Sequence, residues 1–181
     1  MRLGIFDHFG WAIVVTIDEG HRVVDRRRIA LVEPGVCEAP IHYEGKRLGE
    51  AGTAALIAEV RASAARTVAS ELDVVASAAG APIVSIALRT WSPDFPGDVA
   101  TQLRVPYESR ADAIMYRQVL AEAAESRGWH VHLYRAEDVI GHASALLGPR
   151  ASEVIDGPRA KLGPPWSKDH RVALAAAVLS S

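Results

Sequence analysis

A mixed α/β domain built on a five-stranded sheet is the fold class that this 181-residue sequence predicts. Three observations lead there. The chain opens with short apolar, β-branched runs separated by turn residues. Two long alanine-rich stretches follow, with apolar residues at three- and four-residue steps. Each of these stretches leads into a further apolar run bounded by glycine or proline.

The elements follow in order. Leu3 to Phe6 predicts a short strand, and Asp7-His8-Phe9-Gly10 a turn. Trp11 to Ile17 is β-branched and reads as a buried strand. Asp18-Glu19-Gly20-His21 is a hairpin signal leading to a third strand, Arg22 to Val32, whose Asp25-Arg26-Arg27-Arg28 run implies a wet face or an edge. A loop from Glu33 to Gly49 precedes a helix expected over Glu50 to Ala79, with Ile57, Val60, Ala64, Val68, Leu72 and Val75 on one face. Gly80 and Pro82 stop it, and Pro82 to Leu88 reads as a strand covered on both faces. The loop Thr90 to Glu108 is long enough to suggest function. Ser109 is placed to cap a helix running to Arg127, with Tyr116, Val119, Leu120 and Ala123 as its stripe. Trp129 to Tyr134 is a fifth strand, Glu137 to Leu147 a shorter helix, and a last helix starts near Ser167. Three antiparallel strands would thus be joined by two parallel ones, with helices on both faces.

Composition narrows the classes. Apolar residues make up 49% and charged residues 23%, ordinary values for a globular domain. A net charge of −2 means that any polyanion must be held by a local basic patch. The single cysteine, Cys37, excludes an internal disulfide and a cysteine-based zinc cluster. The apolar start contains Asp7 and lacks the pattern of a secretory leader, and no run reaches the roughly 18 residues of a membrane span. These features predict one cytoplasmic domain over residues 1–181 with no membrane association.

Asp7 raises the chemical question. A carboxylate between apolar runs belongs at a strand end, where water, a partner or a metal can meet it. Near the other terminus GPPWSKDHR gathers Trp166, Lys168, His170 and Arg171 at a helix start, with Arg159 and Lys161 upstream. A helix N-terminus with basic side chains suits a phosphate, and an aromatic beside it suits a splayed base. Equally, the diproline can serve as a rigid lead-in with Trp166 packed as a lid. Asp169 in a first helical turn is favoured by the macrodipole whether or not it has a site role. His170 has the titration range of a proton shuttle or metal ligand.

The element order, with LGIFDHFG at the start, RADAIMYRQVLAEAAESRGWHVHLYRAEDV in the middle and KDHRVALAAAVL at the end, resembles the ribonuclease H-like superfamily. Within it the chain looks most like the RuvC-type Holliday-junction resolvases. The resemblance implies a metal-dependent phosphodiesterase acting on structured DNA or RNA, with Mg²⁺ or Mn²⁺ held by carboxylates, and a homodimer. Asp7 matches the strand-one aspartate and Asp169 the first acid of the final-helix pattern, so both are the implied metal ligands, with His170 beside them as a catalytic candidate. Lys168, Arg171, Trp166, Arg159 and Lys161 become substrate-binding candidates. The second final-helix acid falls on Val172, and the fourth strand offers Ala87, Leu88 and Arg89 where an acid is expected. Asp94, Asp98 and Glu108 are the possible substitutes. The alternative is a non-catalytic nucleic-acid-binding or scaffold protein that retains the fold. A third reading, a small phosphorylated ligand, lacks a glycine-rich phosphate loop.

Overall fold

The computed structural model describes residues 1–180. Its five strands are β1 (Arg2–Asp7), β2 (Trp11–Ile17), β3 (Val23–Ala30), β4 (Ser85–Arg89) and β5 (His130–Tyr134). They lie in the order β3-β2-β1-β4-β5, with β1, β2 and β3 antiparallel and β4 and β5 parallel to β1. The mixed sheet is thus the predicted one, and β1 is at its centre. The arginine run of β3 lies on an edge strand, where charge blocks further pairing.

Alternation along each strand divides the core in two. Leu3, Ile5, Val14, Ile86 and Leu88 face one layer, with Val60, Val68 and Leu72 of α1 (Gly45–Ala78) and Tyr116 and Leu120 of α3 (Glu108–Glu125). Ile13, Val15, Ile17 and Ala87 face the other, against α4 (Val139–Leu147) and α7 (Lys168–Leu179). Shorter helices α2 (Val99–Gln102), α5 (Ala151–Ile155) and α6 (Pro158–Leu162) lie in the connecting segments.

The seating of α7 sets the geometry of the site. A Cβ on Gly4 would lie 1.7 Å from the carbonyl oxygen of Ala173, so this helix backbone rests directly on β1. Its alanine-rich face, Ala173 and Ala175 to Ala177, is buried and permits that approach. The helix runs antiparallel to β1: the Arg2 guanidinium donates to Val178 O at the far end, and Asp169 reaches His8 at the near end. Twelve helical residues span about 18 Å at 1.5 Å each, close to the length of the six-residue strand beneath.

The element boundaries differ from the sequence expectation in informative places. The loop before α1 contains a helical turn, Pro40–Glu44, and α1 starts at Gly45, broken at Gly49 (φ 66°, ψ −174°). That left-handed residue is where the sequence pattern suggested the helix would begin. Ser109 does not cap α3; Tyr107 holds the cap position, and the Ser109 hydroxyl donates to Pro106 O at 3.2 Å. Ser167 does precede α7 as its N-cap.

Candidate functional site

Asp7 ends β1 with its side chain only 1% exposed. Its carboxylate meets two arginines. Arg89 Nε donates to Oδ1 at 2.7 Å and Arg89 Nη2 donates to Oδ2 at 2.7 Å, a fork-on-fork pair. Arg117 Nε donates to Oδ2 at 3.0 Å, and Arg117 Nη1 donates to Thr90 O at 3.1 Å. Arg89 Nη2 also donates to the Asp7 carbonyl. Arg89 closes β4, beside β1, and Arg117 projects from α3. Burial pulls the Arg89 pKa down, but the Asp7 hydrogen bonds and charge outweigh it, with Tyr134 and Asp169 contributing, and the guanidinium is held above its ordinary value. Burial first, then the Asp7 charge, drives the Tyr134 hydroxyl far above its usual range; it donates to Ile5 O at 2.6 Å.

This donor set does not fit a divalent ion. A hard cation needs several free oxygens, and here the oxygens of Asp7 are occupied by guanidinium N–H groups. Arg89 places a positive charge where the resemblance requires an acid. Asp169 lies at the same end of the sheet, but its partner is His8, with Nε2 to Oδ2 at 3.0 Å. Among the described residues no group of three or more His, Cys, Asp and Glu side chains is placed to hold a metal. Asp98 instead caps α2, accepting from Thr101 N at 2.8 Å, and Glu108 begins α3.

Around Asp7 opens a cleft of about 810 Å³ at the carboxyl ends of β1 and β4. Three guanidinium groups, Arg89, Arg110 and Arg117, and one carboxylate, Asp7, line it together with Phe6, His8, Phe9, Trp91 and Phe95. The size suits a nucleotide-sized ligand. Arg110, Ala113, Ile114 and Arg117 all line the cleft and share one face of α3 at i, i+3, i+4, i+7 spacing. Arg89 stacks over Phe6 at 4.6 Å. Thr90, Trp91, Ser92 and Phe95 also line the cleft, so the long loop noted in the sequence does border the site.

The basic cluster at the start of α7 is not part of this cleft. Trp166 Nε1 donates to Ile155 O at 3.2 Å, with the ring beneath Arg26 at 5.8 Å. Arg26 donates to Leu162 O at 2.9 Å and Gly163 O at 3.0 Å, and to the diproline carbonyls. Those bonds build a rigid lead-in, the lid alternative for Trp166. His170 is 5% exposed, and its Nδ1 accepts from Ser167 N at 3.2 Å and meets Ser167 Oγ at 2.8 Å. Burial first, then Arg26, pushes its pKa down. It closes the helix start instead of reaching the cleft. Arg171 faces Asp156 at 3.4 Å, and Lys161 borders a separate depression with Arg22, Arg150 and Glu153. Lys168 and Arg159 are exposed and outside the cleft lining.

Sequence reasoning found Asp7 and missed Arg89 and Arg117 as its partners. A signal for Arg117 was present: arginines seven apart on α3, at positions 110 and 117, mark a helix face distinct from its apolar stripe.

No protein-family model matches the chain, and no curated protein matches it in sequence. Among solved structures it is similar to T. thermophilus RuvC in complex with a Holliday junction substrate, with a TM-score of 0.51 and 13% identity over 97% of this chain and 89% of that one. The chain therefore has a RuvC-like, ribonuclease H-like fold, and an arginine-clamped aspartate ends its central strand.

Proposed function

We propose that this chain is a nucleic-acid-binding protein of ribonuclease H-like fold that does not use a metal-centred nuclease reaction. The clamp on Asp7 carries the reading. Two guanidinium groups supply at the strand end the positive charge that a metal pair would otherwise supply. They also keep donors in hand. Arg89 Nη1 and Arg117 Nη2 make none of the bonds to Asp7, and Arg110 adds a third cation on the same wall. Phosphate is the anion this geometry suits, since arginine binds it through paired N–H groups. The aromatic lining offers stacking surface to an unpaired base. The four-way junction bound by the structural neighbour makes branched DNA one natural probe, beside single-stranded DNA and RNA.

A metal-dependent nuclease would require both arginines to leave Asp7, exposing a buried carboxylate, and would still lack the acids absent at Arg89 and Val172. That cost disfavours it. A homodimer remains an expectation of the resemblance, tested by the mass in solution.

Fluorescence anisotropy with labelled single-stranded and four-way-junction probes tests the reading. Binding at low salt should weaken linearly in log salt. Arg110→Ala should reduce affinity for all sequences alike and lower the salt slope by about one. The Lys168→Ala, Arg171→Ala double variant, whose residues do not line the cleft, should change affinity less than Arg110→Ala alone. No binding to any form at low salt overturns the proposal.

A further inference from the structure

The clamp leaves unused His8, which lines the cleft, and Asp169, which meets it. Resting on the nucleic-acid reading above, we infer that the cleft cleaves RNA without a metal ion, with His8 as general base and Asp169 as the residue that positions it. His8 Nε2 meets Asp169 Oδ2 at 3.0 Å. An ionised carboxylate only accepts, so in the neutral ring Nε2 carries the proton and Nδ1 keeps its lone pair. The ring is held in place. It stacks on Trp11 at 3.9 Å and 10°, and meets Phe6 edge-on at 5.3 Å. Arg28 backs Trp11 from the other strand at 4.1 Å. The imidazole lines the same cleft as Arg89, Arg110 and Arg117.

A carboxylate, an imidazole oriented by it, and cations able to bind phosphoryl oxygens form the apparatus of metal-free phosphoryl transfer. What is missing is a strong external nucleophile, because water is weak without a metal to acidify it. RNA provides one internally. Its 2′-hydroxyl is held beside phosphorus at an effective concentration on the order of 10⁵–10⁸ M for a well-aligned intramolecular attack. That requirement selects RNA over DNA. In the step, His8 Nδ1 takes the 2′-hydroxyl proton as the 2′-oxygen bonds to phosphorus. The bond from phosphorus to the 5′-oxygen breaks, and the departing oxygen takes a proton from water. The hydroxide left behind recovers the proton from His8, which returns the ring to its neutral form. The products are a 2′,3′-cyclic phosphate and a 5′-hydroxyl. Arginine N–H groups donate to the non-bridging oxygens and stay protonated throughout.

The test incubates the full chain with single-stranded RNA, the matching DNA, and RNA carrying one 2′-deoxy position, all with chelator present. RNA should be cut to cyclic-phosphate ends identified by mass spectrometry, with the DNA and the deoxy position left intact. His8→Ala should lose about 10²–10⁴-fold in rate and recover with added imidazole. His8→Gln, which keeps an amide donor toward Asp169, should bind RNA and not cut it. Asp169→Asn should lower kcat with KM little changed. RNA that is bound but stays intact, fragments with 5′-phosphates, or cleavage by His8→Ala at the wild-type rate each overturn the inference and leave the binding reading standing. Absence of RNA binding with DNA still bound overturns the inference alone, and absence of binding to every probe, RNA and DNA, overturns both.

Discussion

At the scale of single residues, the clamp is a matter of fork geometry. Arg89 presents two N–H groups to the two oxygens of Asp7, which lysine cannot do from one ammonium. Arg89→Lys should therefore cost about 1.5–3 kcal/mol in chemical denaturation, although it keeps the charge. His170 gives a pH signature of its own. Burial and Arg26 depress its folded pKa below the unfolded value of 6.5, so the unfolded chain binds the proton more readily. Its contribution is present above that value and is lost as pH falls through the lower folded one. Melting temperatures measured across this window should decline on acidification, and His170→Gln should flatten part of the slope. His21, likewise depressed by burial and by Arg2, contributes in the same direction. Asp112 runs the other way at lower pH, because burial raises its pKa despite hydrogen bonds from Ile41 and His42.

At the scale of elements, much was legible because the signals are local. Apolar runs, the Asp18–His21 hairpin and the glycine at position 80 act within a few residues of themselves, and they placed all five strands. The break at Gly49 was not legible. A glycine can sit inside or outside a helix, and only the packing of the preceding turn decides. The spacing of Arg110 and Arg117 marked a polar face of α3, but that Arg89 and Arg117 meet Asp7 was illegible for a related reason. Arg89 and Arg117 lie 82 and 110 residues away, and only the parallel placement of β4 beside β1 and the packing of α3 bring them in. The basic cluster at the start of α7 misled because adjacency in sequence does not imply a shared surface. Trp166 and His170 turn inward to build the helix start, and Arg171 turns to Asp156. The seating of α7 on β1 gives an element-scale prediction. Gly4→Ala sets a Cβ against the Ala173 carbonyl. It should lower stability by at least about 3 kcal/mol, beyond ordinary overpacking because backbone must move. It should also shift the His8–Asp169 pair apart, visible as changed His8 imidazole signals by NMR.

At the scale of the whole molecule, a near-neutral chain concentrates positive charge at one end of its sheet. The net charge is −2, yet the cleft carries three arginines against Asp7. Long-range attraction is weak, so nucleic-acid association depends on these local contacts. Among the described residues no helix is long and apolar enough to cross a membrane. On the proposed reading the aspartate at the heart of the fold is a structural anion held by arginines, not a metal ligand, and the two roles predict opposite responses to one substitution. Removing a buried charge from a cluster of carboxylates relieves repulsion, whereas removing it here leaves Arg89 and Arg117 uncompensated. The most direct measurement is therefore the unfolding free energy of wild type and Asp7→Asn, each with chelator and with saturating Mn²⁺. The clamp predicts that Asp7→Asn loses about 3–5 kcal/mol and that Mn²⁺ leaves the wild type unchanged. An Asp7→Asn variant as stable as wild type in chelator, together with a saturable Mn²⁺ stabilisation of the wild type that the variant lacks, would contradict it.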